Sequence, residues 1–151
     1  MKKLPILNLP IYKLKLKEIG EKTHIFDVVR KKYLILTPEE WVRQNFVQYL
    51  NIEKNYPIGL MGVEKKVNYN NLITRADIVI YNSDGHPNLI VECKAPKIKI
   101  TQDTFYQIAK YNSQLKVRYL IVTNGIKHYC CEMDYQKNDI SFLKEIPKNK
   151  M

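Results

Sequence analysis

The sequence predicts an α/β fold in which a mixed β-sheet is flanked by helices. Segments with helical or strand-like apolar spacing follow in the order helix, three strands, helix, two strands. Three consecutive strands favour an antiparallel meander, and the helix after them favours a crossover to a parallel neighbour. A chain of 151 residues, 45% hydrophobic, can bury one core, so one globular domain is expected.

The first predicted helix begins at the segment TPEEWVRQNFVQYL. Thr37 can cap it, Pro38 suits its first position, and Glu40 stands three residues after the cap, as in a capping box. Apolar residues at helical spacing predict a buried face made of Trp41, Val42, Phe46, Val47 and Leu50.

Turn signals separate the remaining elements. Asp84-Gly85 and Asn124-Gly125 each predict a two-residue hairpin turn. The predicted strands are 62–70, two strands within 75–96 that face each other across Asp84-Gly85, 117–123 and 126–133, and the second helix is predicted from about Asp103 to Leu115.

The central hairpin carries charge where a packed sheet disfavours it. A two-residue turn at Asp84-Gly85 would place Asp77 opposite Glu92, with Lys94 on the same face. Two facing carboxylates repel unless a cation lies between them, and magnesium prefers such oxygen ligands. A surface ion pair is the simpler reading, but the flanking runs IVI and LIV indicate buried strands, where unneeded charge is costly.

These residues resemble a known nuclease motif. Asp77 followed by Glu92-Cys93-Lys94 resembles the PD-(D/E)xK pattern, and Gln107 with Tyr111 resembles a Q-x-x-x-Y element that follows it in helicase-nucleases. Together with TPEEWVRQ, ITRAD, LIVECKAP and VTNG, they make roughly residues 25 to 133 similar to the N-terminal nuclease domain of type I restriction enzyme R subunits.

The resemblance implies a restriction-endonuclease-like fold and Mg²⁺-dependent hydrolysis of DNA phosphodiesters, with Mn²⁺ as a possible substitute. Asp77 and Glu92 would hold the metal, Lys94 would help to activate water, and Gln107 and Tyr111 would support the site or contact substrate. The alternative is a catalytically silent module that binds nucleic acid or a partner protein.

A helix-borne acidic residue often completes such a site. Glu40 is the candidate, although its capping-box position explains it equally well. Glu39 and Glu64 are weaker substitutes.

The sequence departs from the family pattern in two places. Ala76 stands where the motif name has proline, which leaves the metal ligands intact. The 151 residues contain no G-x-x-x-x-G-K-S/T loop, so we expect a free-standing nuclease-like domain without an ATP-driven motor.

A formal net charge of +10 predicts polyanionic partners. DNA is the expected ligand and RNA stays open, with phosphates contacted by lysines of the N-terminal segment and by Lys97, Lys99, Lys110 and Lys116. A homodimer, or helicase or restriction subunits, are further expected partners.

The ends of the chain are read as a basic N-terminal segment over 1–24, of which the start MKKLPILNLPIY is an ordinary or loosely ordered terminus, and a basic tail over 144–151, around a nuclease-like domain over 25–143. No apolar run approaches the roughly 18 to 20 residues of a membrane span. The three cysteines lack zinc-ligand spacing and suit a reducing compartment, so a cytoplasmic location is expected.

Overall fold

The computed structural model describes residues 4–69, 71–113 and 115–150. Two α-helices and nine strands make up the described part of the chain, and neither helix is long and apolar enough to cross a membrane. The elements are β1 (Leu16–Ile19), β2 (Lys22–Asp27), β3 (Lys32–Ile35), α1 (Pro38–Ile52), β4 (Met61–Tyr69), β5 (Leu72–Tyr81), β6 (Pro87–Cys93), α2 (Gln102–Ser113), β7 (Tyr119–Thr123), β8 (His128–Asp134) and β9 (Asp139–Leu143), with a 3-10 turn at Ile58–Leu60.

A six-stranded mixed sheet, in the order β4-β5-β6-β7-β8-β9, is the centre of the fold. All neighbouring strands are antiparallel except β6 and β7, which run parallel and are connected through α2. The predicted meander, crossover and hairpin are therefore confirmed, while β9 at the sheet edge was not predicted. The α/β fold with a mixed sheet and flanking helices is the restriction-endonuclease-like arrangement expected from the sequence.

The helices cover the two faces of this sheet. On one face, Phe46 and Leu50 of α1 pack with Ile78 and Val91. On the other face, Phe105 of α2 packs with a second apolar cluster, which includes Ala109, Val79, Ile90 and Leu120. The central strands are buried on both sides, so a charged side chain among them has little access to water.

The turn between β5 and β6 is not the predicted two-residue turn. Asn82 donates its backbone N–H to His86 O, and Gly85 adopts a φ of +90°, so three residues lie between the last paired positions. A second register shift follows, because Tyr81 pairs with Pro87 while its neighbour Ile80 pairs with Leu89. Asn88 is therefore an extra residue in β6. The two shifts cancel, and Ile78 lies opposite Val91 as the simpler turn also predicted.

The turn between β7 and β8 also differs by one position from the prediction. Asn124 precedes the two central residues of the turn, Gly125 and Ile126. Its side-chain Oδ1 accepts the N–H groups of Ile126 and Lys127. Gly125 takes a φ of +84°, which is the left-handed conformation that favours glycine. The asparagine thus caps the turn through its carboxamide and does not occupy one of its central positions.

A second, three-stranded antiparallel sheet made of β1, β2 and β3 precedes α1 and was not predicted. Its first two strands lie largely within the basic segment predicted over 1–24, and the predicted boundary between residues 24 and 25 falls inside β2. Ile25 of β2 is fully buried, and β2 contacts α1. The sheet therefore packs onto the rest of the domain.

The C-terminal residues return to the body of the domain. Ile146 is buried in the cluster beneath α1, and Pro147 O accepts a hydrogen bond from the Tyr56 hydroxyl at 2.7 Å. Asn149 N donates to Lys54 O at 2.8 Å. The basic tail predicted over 144–151 is therefore attached along part of its length.

Candidate active site

Three of the charged residues singled out in the sequence meet where β5 and β6 separate. The last paired residues are Ile78 and Val91, and Asp77 and Glu92 are the next residue on each strand. Asp77 Oδ2 accepts the backbone N–H of Cys93 at 2.7 Å, which holds the carboxylate against the end of β6. Lys94 Nζ lies 3.2 Å from Glu92 Oε1. The structure thus gathers two carboxylates and one ammonium group at one strand end.

Cys93 lies between two of these residues but faces the other way. Its side chain is buried in the apolar cluster beneath α1, as strand alternation predicts. Burial raises the pKa of its thiol well above the ordinary value of 9.0, so the thiol stays protonated and inert at neutral pH.

Arg43 of α1 is the central cation of the site, and the sequence reading did not identify it. Its guanidinium contacts four carboxylates: Nη1 lies 2.7 Å from Glu40, and Nη2 lies 3.2 Å from Glu39, 2.8 Å from Glu64 and 2.9 Å from Asp77. The Arg43 side chain is only 7% exposed. Charges that are this close together and this well shielded from solvent interact much more strongly than surface pairs.

Glu64 reaches Arg43 from an unusual backbone conformation. It belongs to β4 and has a φ of +53°, in the left-handed region that a non-glycine residue avoids. Its neighbours Val63 and Lys65 pair with Ile78 and Ala76, so Glu64 stands opposite Asp77 in the sheet. Backbone strain of this kind persists where surrounding contacts hold it, and it often occurs at functional sites.

Glu40 connects the site to the N-terminal sheet. Thr37 Oγ1 accepts the Glu40 N–H at 3.0 Å, so the predicted cap is present. The Glu40 carboxylate, however, accepts hydrogen bonds from Arg43 and Gln44 and pairs with Arg30 at 3.3 Å. Its backbone N–H thus serves the cap and its charge serves the ionic network, while a role of Glu40 in completing a metal site stays a prediction.

The carboxylates of the site repel one another. Burial and then the nearby charge of Asp77 raise the pKa of Glu92, and Lys94 opposes this shift only in part. Burial and then Asp77 also raise the pKa of Glu39. Burial alone would lower the pKa of Arg43, but hydrogen bonds and charge from Asp77 and Glu40 raise it. The site therefore carries more negative charge than Arg43 and Lys94 neutralise.

The donor set suits a hard divalent cation. Asp77 and Glu92 offer carboxylate oxygens, and magnesium binds through one or two carboxylates while it keeps several waters. Within 4–69, 71–113 and 115–150, no three His, Cys, Asp or Glu residues form a ready-made metal cluster. Asp77 and Glu92 would be the carboxylates that hold such an ion, and the pKa of Glu92, raised by burial and by Asp77, marks where added positive charge would be favourable.

Gln107 and Tyr111 lie on the solvent side of α2, and Tyr111 is 49% exposed. In the described residues, neither makes a hydrogen bond or ion pair with Asp77, Glu92 or Lys94. Their role therefore stays a prediction.

The four lysines expected to contact phosphate are all exposed. Lys97 and Lys99 lie shortly after β6, in the segment that leads away from Lys94. Lys110 belongs to α2, and Lys116 lies just after it with its Nζ 4.5 Å from the centre of the Tyr135 ring.

Comparison with known proteins assigns the chain to a family. Residues 38–147 match the family described as type I restriction enzyme R protein N terminus. The chain belongs to this family. The matched range begins at α1 and contains every residue of the candidate site from Glu39 to Lys94, whereas β1, β2 and β3 lie before it.

Among solved structures, this R-protein N-terminal domain is similar to a fragment described as the HsdR subunit of a type I restriction enzyme from Vibrio vulnificus YJ016. The two share 20% identity with a TM-score of 0.52, over 75% of this chain and 24% of the other. The domain therefore spans about a quarter of that protein, and the likeness shows the fold. No curated protein sequence matches the chain significantly.

One local signal would have found Arg43. It follows Glu39 by four residues and Glu40 by three, and these spacings place all three on one helix face of the R-protein domain. The contribution of Glu64 has no such signal, because it comes from a different element and depends on a left-handed backbone.

Proposed function

We propose that this domain hydrolyses phosphodiester bonds of DNA in a reaction that requires Mg²⁺, or Mn²⁺ in its place. The observation that carries the proposal is the meeting of Asp77, Glu92 and Lys94 at one strand end, where burial and then the charge of Asp77 raise the pKa of Glu92. Membership in a family of restriction enzyme R-protein N termini supports the same reading.

Each residue has a distinct task in this proposal. Asp77 and Glu92 hold the metal, and Arg43 and the Cys93 N–H fix the orientation of the Asp77 carboxylate. The metal, when bound, supplies Lewis acidity to water and to the phosphate. Lys94, held beside Glu92, orients the attacking water and offsets negative charge that develops on the phosphate. Glu39 and Glu64 set the charge around Arg43, and Gln107 and Tyr111 support substrate binding.

Substrate binding in this proposal is largely electrostatic. Lys97, Lys99, Lys110 and Lys116 contact backbone phosphates without reading sequence, so affinity for DNA falls steeply as salt rises. DNA is the proposed substrate, and a restriction or helicase subunit or a second copy of the chain are proposed partners. The proposed location is the cytoplasm, which suits three free buried cysteines.

The test is cleavage of supercoiled plasmid with Mg²⁺ or Mn²⁺, and with a chelator as blank. Wild type should nick or linearise the plasmid, and Asp77→Asn, Glu92→Gln and Lys94→Ala should each be slower by roughly 100-fold. Lys144→Ala, which removes an exposed lysine just beyond β9, is the matched control and should cleave like wild type. Equal cleavage by wild type and Lys94→Ala would contradict the assignment.

A second candidate function, a nuclease-fold module that binds without cleaving, is favoured by one observation. Arg43 already contacts Asp77 Oδ1 at 2.9 Å, so a cation is present beside the proposed ligand. Thermal melting separates the two functions. A metal-binding site should stabilise the fold by about 2.7 kcal/mol when free metal is one hundred times its Kd, and Asp77→Asn should lose most of this gain. If Mg²⁺ and Mn²⁺ shift neither melting curve at constant ionic strength, the binding module is the better description.

A further inference from the structure

The outward face of the N-terminal sheet combines lysines with aromatic rings. Register pairs Lys17 with His24 and Phe26 with Tyr33, and side chains alternate along each strand. The buried Ile25 and Asp27 mark the inward face. The opposite, outward face, called the basic face below, consists of Lys15, Lys17, Lys22, His24, Phe26 and Tyr33, with the exposed Ile19 and Ile35 at its end.

The charge on this face has one sign. Among the described residues of the three strands, the carboxylates lie elsewhere: Asp27 is buried on the inward side, and Glu18 accepts a hydrogen bond from Thr23, also on the inward side. Lys15, Lys17 and Lys22 project from the other side without an acidic neighbour on their face. A polyanion that lies across the strands is therefore favoured.

Two aromatic rings lie side by side within this charge. The centres of the Phe26 and Tyr33 rings are 5.2 Å apart, on neighbouring strands. Lys15 Nζ lies 5.5 Å from the centre of the Phe26 ring, and Lys17 Nζ lies 5.5 Å from the centre of the Tyr33 ring. Each lysine is long and exposed, so its ammonium group can move to a phosphate and leave the ring surface to another planar group.

We propose that the basic face binds single-stranded DNA, with the lysines on phosphates and with Phe26 and Tyr33 stacking on successive bases. A groove of positive charge with adjacent aromatic rings is the general arrangement for single strands, because every base has a flat face. A duplex hides its base faces by stacking them and would leave the two rings without partners. An acidic protein would use the lysines but would give no flat partner to the rings.

The basic face lies outside the range of residues that matches the family, which begins at residue 38. The sheet that carries it is nevertheless joined to the candidate site through charged contacts on its inward side. Asp27 of β2 pairs with Arg30 at 2.6 Å, Arg30 pairs with Glu40 at 3.3 Å, and Glu40 pairs with Arg43. The binding proposal does not rest on the proposed cleavage reaction, because it concerns other residues and requires no metal.

Fluorescence anisotropy with a labelled oligothymidylate of about twelve nucleotides, in a chelator, tests the proposal without cleavage. Tyr33→Leu should weaken binding by roughly five-fold to one hundred-fold, and Tyr33→Phe, which keeps the ring, should bind like wild type. A duplex of the same length should bind more weakly and should respond little to Tyr33→Leu.

The lysines are tested through salt dependence. The double variant Lys15→Gln with Lys17→Gln should reduce the slope of log Kd against log salt by about 1.4, because each phosphate contact on a single strand contributes about 0.7. The matched control removes two exposed lysines near β9, Lys137→Gln with Lys144→Gln, and should leave the slope unchanged. If Tyr33→Leu fails to fold, this pair of double variants decides the question.

Four results would overturn the proposal. The first is equal binding of the oligonucleotide by Tyr33→Leu and wild type, and the second is an equal salt slope for the two double variants. The third is competition by polyglutamate as strong as that by the oligonucleotide, and the fourth is binding of oligouridylate about tenfold or more tighter than that of oligothymidylate. The third would indicate an acidic protein as the partner, and the fourth would indicate RNA.

Discussion

Replacing Arg43 with methionine should destabilise the domain, because it leaves several carboxylates close together without their shared cation. Arg43 contacts Glu40, Glu64 and Asp77 at 2.7 to 2.9 Å, and its side chain is 7% exposed. Methionine preserves much of the length of the side chain and its apolar contacts, so the change isolates the charge. Substitution of Arg43 by lysine is the matched control, because it keeps one positive charge but not the fork of donors.

The magnitude follows from two opposing terms. Breaking a buried ion pair by removal of one partner costs about 3 to 5 kcal/mol. Arg43 Nε is buried and has no hydrogen-bond partner among the described residues, so its removal returns about 1 kcal/mol. The net loss should be about 2 to 4 kcal/mol. A domain of this size loses about 2 to 4 °C per kcal/mol, so the melting temperature should fall by roughly 5 to 15 °C.

Thermal melting followed by circular dichroism measures this loss, and its pH dependence tests the cause. Burial and the charge of Asp77 raise the pKa of Glu39, and the charge of Arg43 opposes this shift, so in the methionine variant Glu39 takes up a proton still more readily in the folded state than in the unfolded chain. Stability of the variant should therefore recover as the pH falls towards about 4, where wild type gains less. The lysine variant should lie between the two. Equal stability of the methionine variant and wild type at neutral pH, or a gap between them that does not narrow in acid, would refute the reasoning.

Two further predictions concern pH. Burial and the charge of Asp77 raise the pKa of Glu92 above its ordinary 4.5. Just above that pH the folded state therefore binds more protons than the unfolded chain, so the free energy of unfolding falls as the pH rises through this window. Melting curves of Glu92→Gln should be higher than those of wild type by a few degrees at neutral pH and flatter with pH; a lower melting temperature would show that the pair with Lys94 outweighs the repulsion. Burial lowers the pKa of His128 below its ordinary 6.5, so the unfolded chain binds the extra proton and stability is lost as the pH falls below that value. His128→Gln should remove this acid loss and the exposed His86→Gln should not, and identical pH profiles of the two variants would contradict it.

The pH behaviour of His128 follows from its hydrogen bonds. Its Nε2 lies 2.9 Å from Asn8 O and therefore carries the proton, while Nδ1, 2.6 Å from Thr123 Oγ1, accepts from the hydroxyl. A second proton on Nδ1 would remove that acceptor. The ring also connects the first residues of the chain to the β7–β8 hairpin, so its protonation should loosen a tertiary contact.

Local patterns in the sequence were sufficient for most of the central sheet. The cap at Thr37 and the apolar spacing after it lie within a few residues, and they correctly predicted α1. Period-two runs correctly predicted the strands that carry Asp77 and Glu92. The exact form of the turn at Asn82 to His86 was wrong, but an extra residue in β6 restored the register, since both apolar faces of the central strands must be buried.

The N-terminal sheet shows a pattern that was present but outweighed by charge. Lys13, Lys15 and Lys17 alternate with Tyr12, Leu14 and Leu16, which is the period-two signal of a half-buried strand. A reading guided by the number of lysines predicted a basic arm or edge and no strands here. The structure pairs this stretch with β2 because its alternate side chains are apolar and pack inwards.

By itself the sequence determined the family, the mixed sheet and the two strand positions that bring Asp77 and Glu92 together, because helix caps, apolar periods and strand register act over short distances along the chain. Only the tertiary structure decided what surrounds these carboxylates. Arg43 gathers Glu39 and Glu40 from its own helix and Glu64 and Asp77 from two strands, and Glu64 does so from a left-handed backbone. Electrostatic interactions depend on distance in space and on burial, and neither quantity is written in the spacing of residues along the chain.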